Sequence, residues 1–243
     1  TFIAENIRVH NAGLGLGIRG AGGGGNKGRG GSPTEASDSL QSVQYGRVLD
    51  LISEGEIDGI EGGAKGIYLN NTPVLNADGS ENFTGYEVAT RNGTQTQTYL
   101  GDDKAKVEAE VAVNAEVTYN VPIVRTITDR DVDRVRVTMR IPSLQQFQDD
   151  GDIVGTSVSI DIQVQYNGGG YNSVKAQTIN GKSSSVYKRD FMIPLTGAFP
   201  VDIKFKRTSA DSASSKIANQ TWWTSYTKIK DERLQYPNSA LCW

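Results

Sequence analysis

Gly15, Gly17 and Gly20 repeat the G-x-G-x-x-G spacing that cradles a dinucleotide pyrophosphate. The spacing works only after a strand and at the start of a helix, whose N-terminal N–H groups and positive dipole end receive the phosphate. Here it runs through Ala21 into four more glycines, Gly22 to Gly25. Each helical glycine costs roughly 0.5–1 kcal/mol relative to alanine, so four in succession oppose the helix that the motif requires. A second phosphate-loop fragment, Gly181-Lys182-Ser183, has Ala176 where its leading glycine should stand, and strand formers surround it. The first stretch reads as a flexible arm and the second as a turn between strands. No nucleotide or other cofactor is expected.

The carboxylate clusters give equally little chemistry. Glu54, Glu56 and Asp58 alternate in "SEGEIDG". On a strand they would share a face, where they could hold a cation or supply an acid–base pair. Flanked by Gly55 and Gly59, they read instead as a solvated turn. Asp149, Asp150 and Asp152 resemble the start of a calcium loop without its distal glutamate. His10 is the only imidazole and Cys242 the only thiol. That excludes an intrachain disulfide and a Cys/His zinc set, and it argues against Ser-His-Asp or Cys-His catalysis. The chain is therefore expected to hold no metal and to be no enzyme.

The aromatic stretch "NQTWWTSYTKIKDERLQYPNSALCW" is more informative. On a regular strand Trp222, Thr224 and Tyr226 share one face, and Trp223 and Ser225 the other. Indoles on both faces require burial on both sides or a partner on one. Trp222, Trp223, Tyr226 and Tyr236 are the candidate assembly contacts. Two other function classes fit the same residues: a carbohydrate-binding β-sandwich stacking its aromatics on sugar rings, and a glycosidase using the scattered carboxylates.

These residues need a scaffold, and its pattern is mainly β. Val158, Ile160, Ile162, Val164 and Tyr166 alternate without a miss, as do Val135, Val137, Met139 and Ile141, and Val201, Ile203 and Phe205. Such alternation buries one strand face and wets the other. The block 123–210 is expected to be an antiparallel β-sandwich with Val158, Ile160, Ile162, Val164, Ile203 and Phe205 inside. "NGGG" after Tyr166 reads as a turn, and hairpin turns are also expected at Asn70-Asn71 and Asn92-Gly93. Residues 101–118 carry both helical and strand signals and are read as strand after 109. "SPTEASDSL" offers a short helix start at Ser32, Pro33 and Glu35. Residues 1–31 form the glycine-rich arm, made basic by Arg8, Arg19, Lys27 and Arg29.

The 243 residues carry a net charge of −3, so bulk charge makes no case for nucleic-acid binding. No apolar run approaches the ~20 residues of a membrane span. No signal peptide is visible, and the start at Thr1 rather than Met is expected of a chain processed or trimmed before that residue.

An ordered series of segments resembles the N-terminal part of the tail tip protein J family of lambda-like, long-tailed bacteriophages. The series is "SPTEASDSLQSVQ", "LDLISEGEIDG", "IYLNNTPVLNADG", "VPIVRTITDRDVDRVRV", "INGKSSSVY" and "NQTWWTSYTKIKDERLQYPNSAL". It spans roughly residues 32–241, is weakest at 98–118, and leaves residues 1–25 outside it. The resemblance implies a structural component of the virion at the distal tail tip. It implies a homotrimeric hub below the tail tube, around the channel through which DNA passes in transit. Other tail tip proteins, distal tail tube proteins and the tape measure protein would be its partners. Receptor binding would belong to distal parts that this chain, ending at Trp243, does not contain. The implied division is a hub β domain, barrel or sandwich, in two parts, 32–122 and 211–243, with 123–210 as a candidate insertion.

Overall fold

The computed structural model describes residues 2–4, 32–43, 46–101, 104 and 106–243. Of the glycine-rich arm it describes Phe2–Ala4 alone, as a short strand parallel to Ile67–Leu69, so the flexible-arm reading does not extend to these three residues. Gly15, Gly17 and Gly20 and the rest of the arm lie outside the described residues. The fold is mainly β, as the alternation predicts. A single 3-10 turn, Gly63–Gly66, is the only helical element among the described residues.

The chain divides into two units. The larger takes residues 31–44 and 106–232 and contains eight long or central strands. These are β1 (Val107–Glu116), β2 (Ile123–Ile127), β3 (Arg134–Ile141), β4 (Thr156–Tyr166), β5 (Asn172–Gly181), β6 (Tyr187–Pro194), β7 (Val201–Arg207) and β8 (Trp222–Lys230). One sheet has the order β5-β4-β7-β2 and the other β6-β3-β8-β1. All neighbouring pairs are antiparallel. The two inner faces share one core, so the unit is a β-sandwich. It is wider than 123–210, because β1 and β8 complete the second sheet. The ambiguous stretch before 118 is strand from Val107 onward.

The strand periodicity produces this core directly. Val158, Ile160, Ile162 and Val164 of β4 are at most 1% exposed, as are Ile203 and Phe205 of β7. Ile162 stands opposite Phe205 and Val164 opposite Ile203. Val135, Val137, Met139 and Ile141 of β3 meet them from the other sheet, all at 0%. Burying each such side chain contributes roughly 1.5–3 kcal/mol. Asn167 and Gly168, with φ of 46° and 72°, turn the chain at the start of the connection 167–171 that joins β4 to β5.

Residues 32–43 contain no helix, contrary to the start signal at Ser32-Pro33. They form an extended strap. Its amides find partners far along the chain: Ala36 N–H donates to Ile153 C=O at 2.9 Å, and Ser39 and Leu40 N–H donate to Lys182 C=O at 2.9 and 3.1 Å. Donors satisfied by long-range carbonyls have no need of a helical turn.

The smaller unit gathers 45–105 and 233–243 with the strand Phe2–Ala4. Its main sheet places Ser239–Cys242 between Asp50–Glu54 and Thr90–Asn92. The turn expected at Asn70-Asn71 forms, with φ of 49° and 64°, between Ile67–Leu69 and Thr72–Pro73. The hairpin expected at Asn92-Gly93 does not. Thr90–Asn92 pairs with the far end of the chain instead. Gly93 (φ +89°) serves close backbone approach, since a Cβ there would stand 2.3 Å from Gly55 C=O.

Candidate assembly surface

β8 carries the aromatic pair and is central in its sheet, between β3 and β1. A β-bulge interrupts it between Trp223 and Ser225, so Thr224 is an extra residue against β3. The opposite strand β1 bends at the same place, with Asn114 at φ 46°. Thr224 Oγ1 is buried with no hydrogen-bond partner in the protein. One inserted residue reverses the parity of everything beyond it.

Trp223 and Tyr226 therefore both face the core, opposite Met139 and Val137. This corrects the face assignment read from simple alternation, which placed Tyr226 with Trp222. Trp223 is 0% exposed. Its ring meets Phe205 edge-on, centroids 6.0 Å apart at 89°, and Tyr226 at 6.1 Å. Its Nε1–H donates to Ser225 C=O at 2.8 Å. As core side chains in this chain, Trp223 and Tyr226 offer nothing to a partner. Trp222 points outward, with the Arg140 guanidinium carbon 5.0 Å from its ring centroid. Tyr236 lies in the smaller unit, half-buried at φ 50°. Its carbonyl accepts from Gln97 Nε2 at 2.6 Å; the same amide also donates to Gln235 and Ser239 carbonyls.

Around Trp222 the outer sheet face is a ladder of charge. Arg134, Arg136 and Arg140 line β3, and Glu108, Glu110 and Glu116 line β1, with β8 between them. Strands lie about 4.8 Å apart, so a long side chain from each column can meet over the central strand. Arg136 does this bidentately, with Nη2 to Glu108 Oε2 at 2.7 Å and Nη1 to Oε1 at 3.3 Å. Ser225 Oγ donates to Glu110. Arg134 pairs with Asp231. Beneath this lattice Ile229 is 0% and Thr227 2% exposed. The alternation of "DRVRVTMR" and "VEAE" carried this signal, but pairing the two columns requires knowing that β8 runs between them.

The other sequence candidates resolve into structural roles. Glu54, Glu56 and Asp58 are exposed, and among the described residues no group of His, Cys, Asp and Glu could hold a metal ion. Asp152 accepts from the Thr34 N–H at 2.6 Å, Asp150 from the Asp152 N–H at 3.1 Å, and Asp149 pairs with Lys216. Lys182, of the phosphate-loop fragment, is 3% exposed and reaches Glu35 at 2.7 Å and Asp38 at 2.8 Å. Burial pulls its ammonium pKa down, but hydrogen bonds to Asp38 and Glu35 outweigh this and raise it. Asp38 falls to about 2, held first by Lys182 and then by Ser184. In the smaller unit a cleft of about 620 Å³ is lined by Ile52, Ile57, Ile60, Glu61, Lys65 and Tyr68.

A family model described as the FNIII-A domain of tip attachment protein J matches residues 107–232, β1 to just past β8. Tip attachment protein J of Escherichia phage SECphi4 is 38% identical over 224 residues, covering 89% of this chain and 20% of that protein. The protein of the same name from Escherichia phage SECphi27 is 33% identical over 210 residues, covering 86% and 17%. The chain thus spans about a fifth of the length of these relatives. A solved structure described as "CBM4 structure and function" is 14% identical over 55% of this chain and 71% of that one, and its TM-score of 0.25 is too low to bear on ligand or function. With the family match on the sandwich and two relatives above 30% identity over most of its length, this chain belongs to the tip attachment protein J family of phage tail tip proteins.

Proposed function

We propose that the chain is a structural part of the tail tip that works by assembly, as one of three copies forming a hub around the DNA exit channel. The relatedness that covers 86–89% of the chain carries this reading. In it, the smaller unit belongs to the hub proper and the sandwich is inserted into it. The division of the chain supports this, since 45–105 and 233–243 form one unit and 106–232 belongs to the other.

Other tail tip and distal tail tube proteins, and the tape measure protein, are the proposed neighbours. DNA is a passing cargo, so the channel lining is expected to be polar or acidic, and the net charge of −3 is compatible with that. Receptor binding is assigned to the much longer remainder of the relatives, and no catalytic role is proposed. Trp222 with Arg140 is the proposed assembly contact of the sandwich, because tryptophan and arginine are both among the residues enriched at interface hot spots. Imaging of the native tail tip tests the reading. Three copies around an axial pore are expected, and any other copy number, or a position away from the axis, overturns it.

A further inference from the structure

The strap over residues 32–43 is held almost entirely by polar contacts. Residues 32–39 and 41–43 are exposed, and Leu40 alone is partly buried, against the sandwich core. At one end, Ile153 N–H donates to Thr34 C=O at 2.9 Å, and Asp152 receives the Thr34 amide. In the middle, Lys182 N–H donates to Ser39 Oγ at 2.9 Å. Asp38 accepts the Ser184 N–H at 3.0 Å and its Oγ–H at 2.6 Å. At the far end Lys188 N–H donates to Ser42 Oγ at 2.8 Å.

The sandwich side is shaped for this segment. A Cβ at Gly151 would stand 2.8 Å from Pro33 Cγ. A Cβ at Gly181 (φ +152°) would stand 2.6 Å from Ser39 Oγ and 2.9 Å from Leu40 Cγ. Lys182, next to Gly181 in the chain, is 3% exposed beneath the strap, its ammonium answered by two carboxylates three residues apart. Backbone donors and acceptors, two side-chain-free positions and one buried cation are the components of a peptide-recognition cleft.

We propose that the sandwich carries a cleft, formed by Gly151, Ile153, Gly181, Lys182 and Ser184, that recognises an extended acidic segment with carboxylates at i and i+3. Residues 33–42 are its exchangeable occupant. A segment with so little buried apolar surface opens at a cost below that of global unfolding. Once open, the cleft accepts the same segment from a second copy. The covalent occupant competes from a high effective concentration, so the closed form dominates in a single chain.

The test uses the full chain and a synthetic peptide of residues 32–43. In the E35Q/D38N chain the weakened strap is expected to yield, and the peptide to bind with Kd below about 1 mM. The unaltered chain should bind it at least about tenfold more weakly, because its own strap competes. Adding Lys182→Met to E35Q/D38N should abolish binding. No binding to a folded E35Q/D38N chain, or binding indifferent to Lys182→Met, overturns the proposal. Should E35Q/D38N not fold, amide exchange on the unaltered chain decides. Strap amides of Ala36, Ser39 and Leu40 exchanging at least about a hundredfold faster than those of β4 sustain it, and exchange in step with β4 overturns it.

Discussion

Trp222 and Trp223 are chain neighbours with opposite environments: Trp223 is closed into the core against Phe205, and Trp222 lies outside it beneath the Arg140 guanidinium. Their substitutions should therefore separate. Trp223→Ala removes a fully buried indole and its bond to Ser225 C=O, and should cost about 3–5 kcal/mol in urea unfolding. Trp222→Ala loses a half-buried outer-face indole and its cation–π contact and should cost about 0.5–2 kcal/mol, well below Trp223→Ala. On the proposed function, the Trp222 variant folds as a subunit but fails to enter tails. Normal assembly of that variant removes Trp222 from the interface.

Ile162 and Asp161 make a sharper pair, because they are adjacent on β4 and point to opposite sides. Ile162→Asp buries an unpaired carboxylate at a 0% exposed site and should prevent folding. Asp161 is on the outer face yet only 9% exposed, accepting from Gln163 Nε2 at 2.7 Å and from Ser173 Oγ. Asp161→Ala should cost about 1 kcal/mol, since both donors can turn to water. Circular dichroism melts of the two variants read the difference directly. Comparable losses would mean that Asp161, too, is part of the core.

What could be read from the sequence follows from which interactions are local. The alternation in β4 and β7 is a property of each strand alone, and it puts Ile162, Ile203 and Phe205 inside, where all three are 0% exposed. The bulge at Thr224 is not local, because it exists only relative to β3 and β1, and so simple alternation puts Trp222 and Tyr226 on one face where the structure separates them. Ser32-Pro33 is a sound helix start when nothing competes. Here Lys182 competes, about 150 positions away, and no pattern near residue 35 announces it. Asn92-Gly93 failed in the same way: its flexibility is used, but for approach to Gly55 rather than for a hairpin.

Arg207 is the structural anchor of the segment leading to β8. It is 2% exposed and donates to the carbonyls of Ser209 at 3.0 Å, Ala210 at 3.1 Å and Asn219 at 2.8 Å, with Asp211 at 3.2 Å. Burial lowers its pKa, opposed by Asp211 and then Glu116. Arg207→Met keeps most of the volume but removes the Arg207 donors from three carbonyls and from Asp211, of which Asn219 C=O keeps Thr221 Oγ1 and Asp211 keeps the Tyr119 N–H. A loss of about 2–4 kcal/mol is expected, with faster amide exchange through 208–221. Unchanged exchange there would show that the loop is held by other contacts.

The Lys182 clamp predicts a stability step in acid with a definite sign. The Asp38 carboxyl has an ordinary value of 3.8 and stands at about 2 in the folded chain, through Lys182 and Ser184. The unfolded chain thus takes up this proton first as pH falls, and protonation favours unfolding. The stabilisation is in full force above the ordinary value and is lost as pH falls from 3.8 through about 2. Lys182 carries its charge throughout this window, so Asp38 titrates against a fixed cation, with Glu35 as the second carboxylate on the same ammonium. Asp129, through the Asp131 amide and Lys230, and Asp149, through Lys216, are also held below their ordinary values, which calls for a difference measurement. Unfolding free energies of the unaltered chain and of Asp38→Asn should be compared from about pH 7 down to about pH 2, at one salt concentration. The difference should be constant at neutral pH and shrink towards zero across the acid window. A difference that does not change with pH would mean that Asp38 is as solvated in the folded chain as in the unfolded one, and that Lys182 does not hold the strap through it.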